Sequence, residues 1–171
     1  MSRLPVAGEH AIRDLISRYN LHTSRLALPV PIRLIARAEG WRVWYREGLW
    51  PLYAFAVVDG PIRLMVVNAY LSDEHQRWAI AHEMAHALNG DGTLHPFLCA
   101  ASGPLAPWTT RRMEQQADQF AARLLIPDWI IDETGGDIAE IAAACEVPPR
   151  LVELRLAGLS RRRGRGRDRY R

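Results

Sequence analysis

The chain has 171 residues, a formal net charge of +3 and 49% hydrophobic residues. That is one domain's worth of chain, long enough to bury about 70% of its unfolded surface, and it holds no apolar run of the roughly 18 residues that span a bilayer. Two cysteines, Cys99 and Cys145, provide no disulfide framework, and Met1 to Val6 lack a hydrophobic signal core, so the expected location is the reducing cytoplasm.

The first periodic segment runs from Glu9 to about Thr23, with Ile12, Leu15, Ile16 and Tyr19 at helical spacing and His10 and His22 expected to face solvent. Pro29 and Pro31 punctuate it, and Pro31 suits the first turn of a helix running to Gly40. Trp41 to Tyr45 alternates and is rich in strand formers. Two further apolar runs, Tyr53 to Val58 and Ile62 to Asn68, flank Asp59-Gly60-Pro61 and read as a hairpin. The expectation is a short antiparallel sheet of about three strands. Its Ile62 to Asn68 strand leads into the next helix and is expected to offer an edge for an extended peptide.

That next helix begins after Ser72, carries Asp73 and Glu74 in its first turn, and meets a stop at Asn89-Gly90. It contains His82-Glu83-Met84-Ala85-His86. Two histidines four residues apart lie about 40° apart around a helix, one turn above each other. Two imidazole nitrogens so placed can converge on one tetrahedral Zn²⁺, expected at one per chain, and the adjacent Glu83 can take a proton from attacking water. Ile80, Met84, Ala87 and Leu88 fall on the opposite face, as they would in an ordinary amphipathic helix.

A catalytic zinc site needs a third protein ligand. After a Gly- and Pro-containing loop from Asp91 to Trp108, which can form one wall of a cleft, the segment Thr109 to Pro127 reads as a helix. Thr109 or Thr110 can cap it and Pro127 limits its end. Glu114 and Asp118 share a face with Ala117, Ala121 and Leu125, while Gln116, Gln119 and Arg123 form the expected wet side. Carboxylates on an apolar face need partners. A metal and its histidines would supply them, with Glu114 as third ligand and Asp118 accepting the outer N–H of a ligand histidine. A salt bridge to Arg111 or Arg112 is the plainer alternative. The pattern that continues with Gly and His after the second histidine fails at Asn89 and Gly92. His75, Asp91 and His95 rank below Glu114 as third ligand.

Beyond Pro127 a short helical piece covers about Asp128 to Glu133. Asp137 then caps Ile138 to Cys145, and a last helix runs from Pro148 to about Ala157. The last two helices look like a helix-turn-helix, and a hairpin packed on the body is the favoured reading. All 22 basic residues are arginine, and seven of them against one Asp lie in residues 161–171, a net of +6 that leaves −3 for the rest. Residues 160–171 therefore read as a disordered tail on one domain of residues 1–159. Arg161, Arg162 and Arg163 are candidates for weak nucleic-acid contact, against the simpler reading of a solubilising tail.

Two stretches resemble the ImmA/IrrE group of metallopeptidases: Ile80 to Leu88, and Glu114 to Pro127 with its Glu-x-x-Ala-Asp-x-Phe-Ala-x-x-Leu-Leu-x-Pro arrangement. The resemblance covers roughly residues 25–159. It implies an α+β, zincin-like domain with the sheet packed against the His and Glu helices, and zinc held by His82, His86 and Glu114 with Glu83 as the catalytic carboxylate. It further implies a protein substrate, since members of the group cut helix-turn-helix repressors of mobile elements or stress responses. The oxyanion donor stays open among His75, His95, Tyr70 and Tyr53. Two rival classes remain: a non-catalytic zinc-containing regulator that binds DNA or a repressor, and a toxin-like partner of a helix-turn-helix antitoxin.

Overall fold

The computed structural model describes residues 6–23, 28–88, 99–100 and 108–167. The order is α1 (Val6–Arg18), α2 (Ile32–Ala38), β1 (Arg42–Arg46), β2 (Leu52–Asp59), β3 (Ile62–Asn68), α3 (Asp73–Leu88), β4 (Cys99–Ala100), α4 (Trp108–Leu125), α5 (Asp128–Glu133), α6 (Ile138–Cys145) and α7 (Pro149–Arg167). One sheet lies against the helices, so the expected α+β class holds.

Local chemistry sets the element ends. Helix α2 closes with Gly40 at φ +86, its N–H bonded to Arg37 O, and Trp41 N–H bonded to Ala36 O, the paired bonds of a glycine-terminated helix. That closure turns the buried Trp41 inward and starts β1. Asp59 pairs with Ile62, leaving the two-residue turn Gly60-Pro61 with Gly60 at φ +54.

The sheet departs from expectation in two ways. Its four strands are ordered β1-β3-β2-β4, and β1 runs parallel to β3, so the sheet is mixed rather than antiparallel. Strand β3 is therefore central and cannot serve as the peptide edge. The residues explain this: Met65-Val66-Val67 is a continuous buried run suited to a central strand, whereas Arg42 and Arg46 suit β1 to an edge. Among the described residues, β2 pairs with β4 at Leu52 and Ala54.

Helix α3 is the centre of the molecule, packed on the sheet by β2 and β3 and on α1, α2 and α4. Every residue from Ala79 to His86 is buried, so the face that carries His82 and His86 is covered along with the apolar one. Helix α4 starts at Trp108, before the threonines expected to cap it. Its expected wet side is also partly covered. Gln116 is buried, and Arg123 donates to Glu9 of α1 at 2.9 Å.

Ala117 and Ala121 are fully buried and lie on the helical face that carries Glu114. Small side chains let the α3 and α4 backbones approach. Ala121→Leu should overpack this contact, cost about 1–3 kcal/mol and weaken metal binding by displacing Glu114. Urea unfolding and metal titration of the variant read the two effects separately.

The C-terminal helices form a hairpin, with α7 also packed on α4 through the body. Asp137 caps α6 by accepting from the Glu140 N–H. Arg77 of α3, itself buried, donates to Cys145 O and Glu146 O at the end of α6 and to Val30 O. A cation at a helix C-terminus satisfies carbonyls that lack intrahelical partners. Helix α7 continues to Arg167 rather than ending near Ala157, so residues 160–167 are helical where a disordered tail was expected. Arginine is a good helix former, and basic residues suit a helix C-terminus. Arg161, Arg162 and Arg163 lie on this helical backbone; their side chains fall outside the described residues. No helix among the described residues is long and apolar enough to cross a membrane.

Candidate metal centre

His82 and His86 stand one turn apart on α3, 2% and 1% exposed. Their Nε2 atoms are 3.0 Å apart. From α4, Glu114 brings Oε2 to 3.0 Å from His82 Nε2 and Oε1 to 3.3 Å from His86 Nε2. One ligand atom from each of the three lies within 4.8 Å of the others. The geometry follows from two helical repeats facing each other: α3 projects two imidazoles from one face, and α4 answers from its alanine face.

Asp118, one turn beyond Glu114, accepts the His82 Nδ1–H at 2.9 Å. With that proton committed, His82 can give up its Nε2 proton and turn a lone pair toward the group when a metal binds. Burial raises the Glu114 carboxyl, but hydrogen bonds from His82 and His86 overcome it and hold its pKa at about 2. Glu114 is thus ionised at neutral pH. An anionic oxygen and two imidazole Nε2 atoms gathered at 3.0–3.3 Å share protons in the metal-free protein and can exchange them for a cation. Two imidazoles and a carboxylate form the donor set of a catalytic zinc. The residues fit a divalent metal.

Glu83 follows His82 on the helix and is fully buried. Neither carboxylate oxygen makes a hydrogen bond of ordinary geometry among the described residues. Burial pushes its pKa up to about 8, against the pull of His82, with the Glu114 charge adding to the rise and the nearby Ala56 N–H of β2 lowering it slightly. A divalent cation alongside would reverse much of that rise.

Among the described residues, no other expected metal ligand joins this group. Tyr70 is exposed, and its hydroxyl donates to Glu47 Oε2 at 2.9 Å. His75 Nδ1 lies 2.9 Å from Ser72 Oγ, and its ring packs with Tyr53 and Trp78 at centroid distances of 6.0 and 6.1 Å. His95 and Asp91 lie outside the described residues. Sequence reasoning missed Ala56, whose N–H approaches Glu83. No signal in an alternating apolar strand marks which backbone N–H will meet a carboxylate.

If Asp118 fixes the His82 tautomer, Asp118→Asn should weaken metal affinity by about 10–100-fold while leaving the fold intact. Competition with a zinc chelator measures this.

A histidine pair on one buried helix, completed by a carboxylate from a second helix beside a small sheet, defines a zincin-like metallopeptidase domain. The chain belongs to the Peptidase_M78 family, described as the IrrE N-terminal-like domain, whose family model matches residues 37–157. It is also similar to the "Uncharacterized immunity region protein 2" of Bacillus phage phi105, with 26% identity over 153 residues that cover 85% of this chain and 86% of the relative.

Proposed function

We propose that the protein is a zinc-dependent endopeptidase that cuts a helix-turn-helix transcriptional repressor of a mobile element or stress response. The observation that carries the peptidase reading is the convergence of His82, His86 and Glu114 with a buried carboxylate, Glu83, next to them. Family membership supports the reaction class. The phage relative, named for an immunity region, supports a repressor as substrate.

In this reading His82 Nε2, His86 Nε2 and Glu114 hold the metal, and Asp118 holds the His82 ring in the required tautomer. A bound zinc ion supplies Lewis-acid polarisation and lowers the pKa of water toward about 7. Glu83 takes the proton from the attacking water and returns it to the leaving amine. Its burial keeps competing water from its oxygens. The substrate backbone lies along β2, whose Ala56 N–H approaches Glu83.

The test mixes the zinc-loaded protein with purified helix-turn-helix repressors from the same genome and looks for fragments by mass spectrometry. Cleavage by the wild type and none by Glu83→Gln supports the proposal. A repressor bound tightly but recovered intact from both would sink it and favour a non-catalytic regulator.

A further inference from the structure

Strand β1 closes the side of the sheet away from β4, and among the described residues no strand pairs with its outer edge. The Arg46 carbonyl accepts from the Ala69 N–H at 2.9 Å, on the β3 side. Backbone groups alternate sides along a strand. Arg42, Trp44 and Arg46 therefore turn their N–H and C=O groups to β3, and Val43 and Tyr45 turn theirs to the open edge.

Side chains alternate as well. Val43 packs against the core, and the Tyr45 hydroxyl accepts from Arg33 Nε of α2 at 2.9 Å, which places both on the helix side. Arg42, Trp44 and Arg46 thus share the opposite face of the sheet. There Trp44 stands in register with Val66 and then Phe55, and Arg42 with Leu64. Trp44 is 51% exposed, and a shallow recess runs along Val43, Trp44, Tyr45 and Arg46. The nearest carboxylate in sequence, Glu47, is held by Tyr70. Among the described residues neither Arg42 nor Arg46 has an ion-pair partner.

These features select among occupants. A second copy pairing antiparallel about Trp44 would place Arg42 directly opposite the other copy's Arg46, and like charges opposite each other destabilise a sheet. Single-stranded nucleic acid would use the tryptophan and the arginines, but it would leave the edge groups of Val43 and Tyr45 without a ladder. An extended acidic peptide satisfies all three features at once.

We propose that β1 is a docking edge for an extended acidic segment of a partner protein. The segment adds as an antiparallel strand on Val43 and Tyr45. Two acidic residues four apart face Arg42 and Arg46, and an apolar residue between them covers Trp44. The edge lies across the sheet from β2, the strand that approaches Glu83, so docking is independent of peptide cleavage.

The experiment titrates the full chain into a fluorescent peptide with the core Glu-Thr-Leu-Thr-Glu. Controls are a Lys-Thr-Leu-Thr-Lys counterpart and a single-stranded oligonucleotide of roughly 20 nucleotides. The glutamate peptide should bind and slow hydrogen exchange at the Val43 and Tyr45 amides. Arg42→Glu with Arg46→Glu should weaken it at least about tenfold and confer binding of the lysine peptide, whereas Arg42→Lys with Arg46→Lys should retain the glutamate peptide. Both arginines are exposed, and circular dichroism checks the fold of each variant. Failure of the glutamate peptide to bind, or binding indifferent to charge reversal, overturns the proposal. So does capture of the oligonucleotide in preference to the peptide, or a dimer that protects the two amides without peptide.

Discussion

Glu83→Gln is expected to lower peptide cleavage by roughly 10²–10⁴-fold, the usual contribution of a positioned general acid–base, while the protein still binds about one zinc per chain. The amide keeps the shape of the side chain but cannot accept and return a proton. Metal content by atomic absorption and single-turnover cleavage separate the two effects. Full activity in the variant would show that another group carries the proton.

The same substitution has a signature without metal. The Glu83 carboxyl is pushed up from its ordinary 4.5 to about 8 in the folded chain, chiefly by burial. A raised folded pKa means that the folded state binds this proton more tightly than the unfolded state. The group therefore leaves stability intact below about pH 4.5 and erodes it progressively up to about pH 8. The depressed Glu114 carboxyl acts in a different window, losing its contribution as pH falls from 4.5 toward 2. Between pH 5 and pH 8 the metal-free wild type should lose more stability than metal-free Glu83→Gln. Parallel denaturation curves across that range would show it.

The grouping of His82, His86 and Glu114 was legible because the spacing within each helix sets which side chains share a face. Two histidines one turn apart, and two carboxylates one turn apart on an alanine face, must project together whatever surrounds them. Asp118 on His82 follows from the same spacing. What stayed hidden depends on which element lands on which face. Gln116 and Arg123 read as solvent-facing because nothing local announces that Gln116 will be buried or that Glu9 of α1 will reach Arg123. Arg77 sits in α3 like any helical arginine, and only the long-range return of α6 gives its guanidinium carbonyls to bind. The parallel pairing of β1 escaped for a related reason. A hairpin dictates the pairing of β2 with β3, but the other neighbour of β3 is decided by burial of Met65-Val66-Val67 on both sides. The continuation of α7 into the arginine-rich segment shows composition giving way to the low cost of extending a helix already formed.

Glu114→Ala should remove the site's metal affinity more completely than any change to its outer partners. Deleting a residue that supports a ligand weakens binding by about 10–100-fold, and deleting the ligand itself should exceed that range. The effect is readable as stability. Zinc at 100 times the wild-type Kd should stabilise the folded protein by about 2.7 kcal/mol, and a 100-fold loss of affinity would cut this to about 0.4 kcal/mol at the same concentration. The metal-free variant also loses the Glu114 contacts to His82 and His86, so the zinc-dependent shift is measured against the variant's own metal-free baseline. If the variant kept the full zinc-dependent shift, the third donor would have to come from elsewhere. His75 is poorly placed for that, since it is held at Ser72 and packed between Tyr53 and Trp78. The substitution to make next would then be Asp91→Ala or His95→Ala, and the residue whose loss abolished the shift would be the ligand.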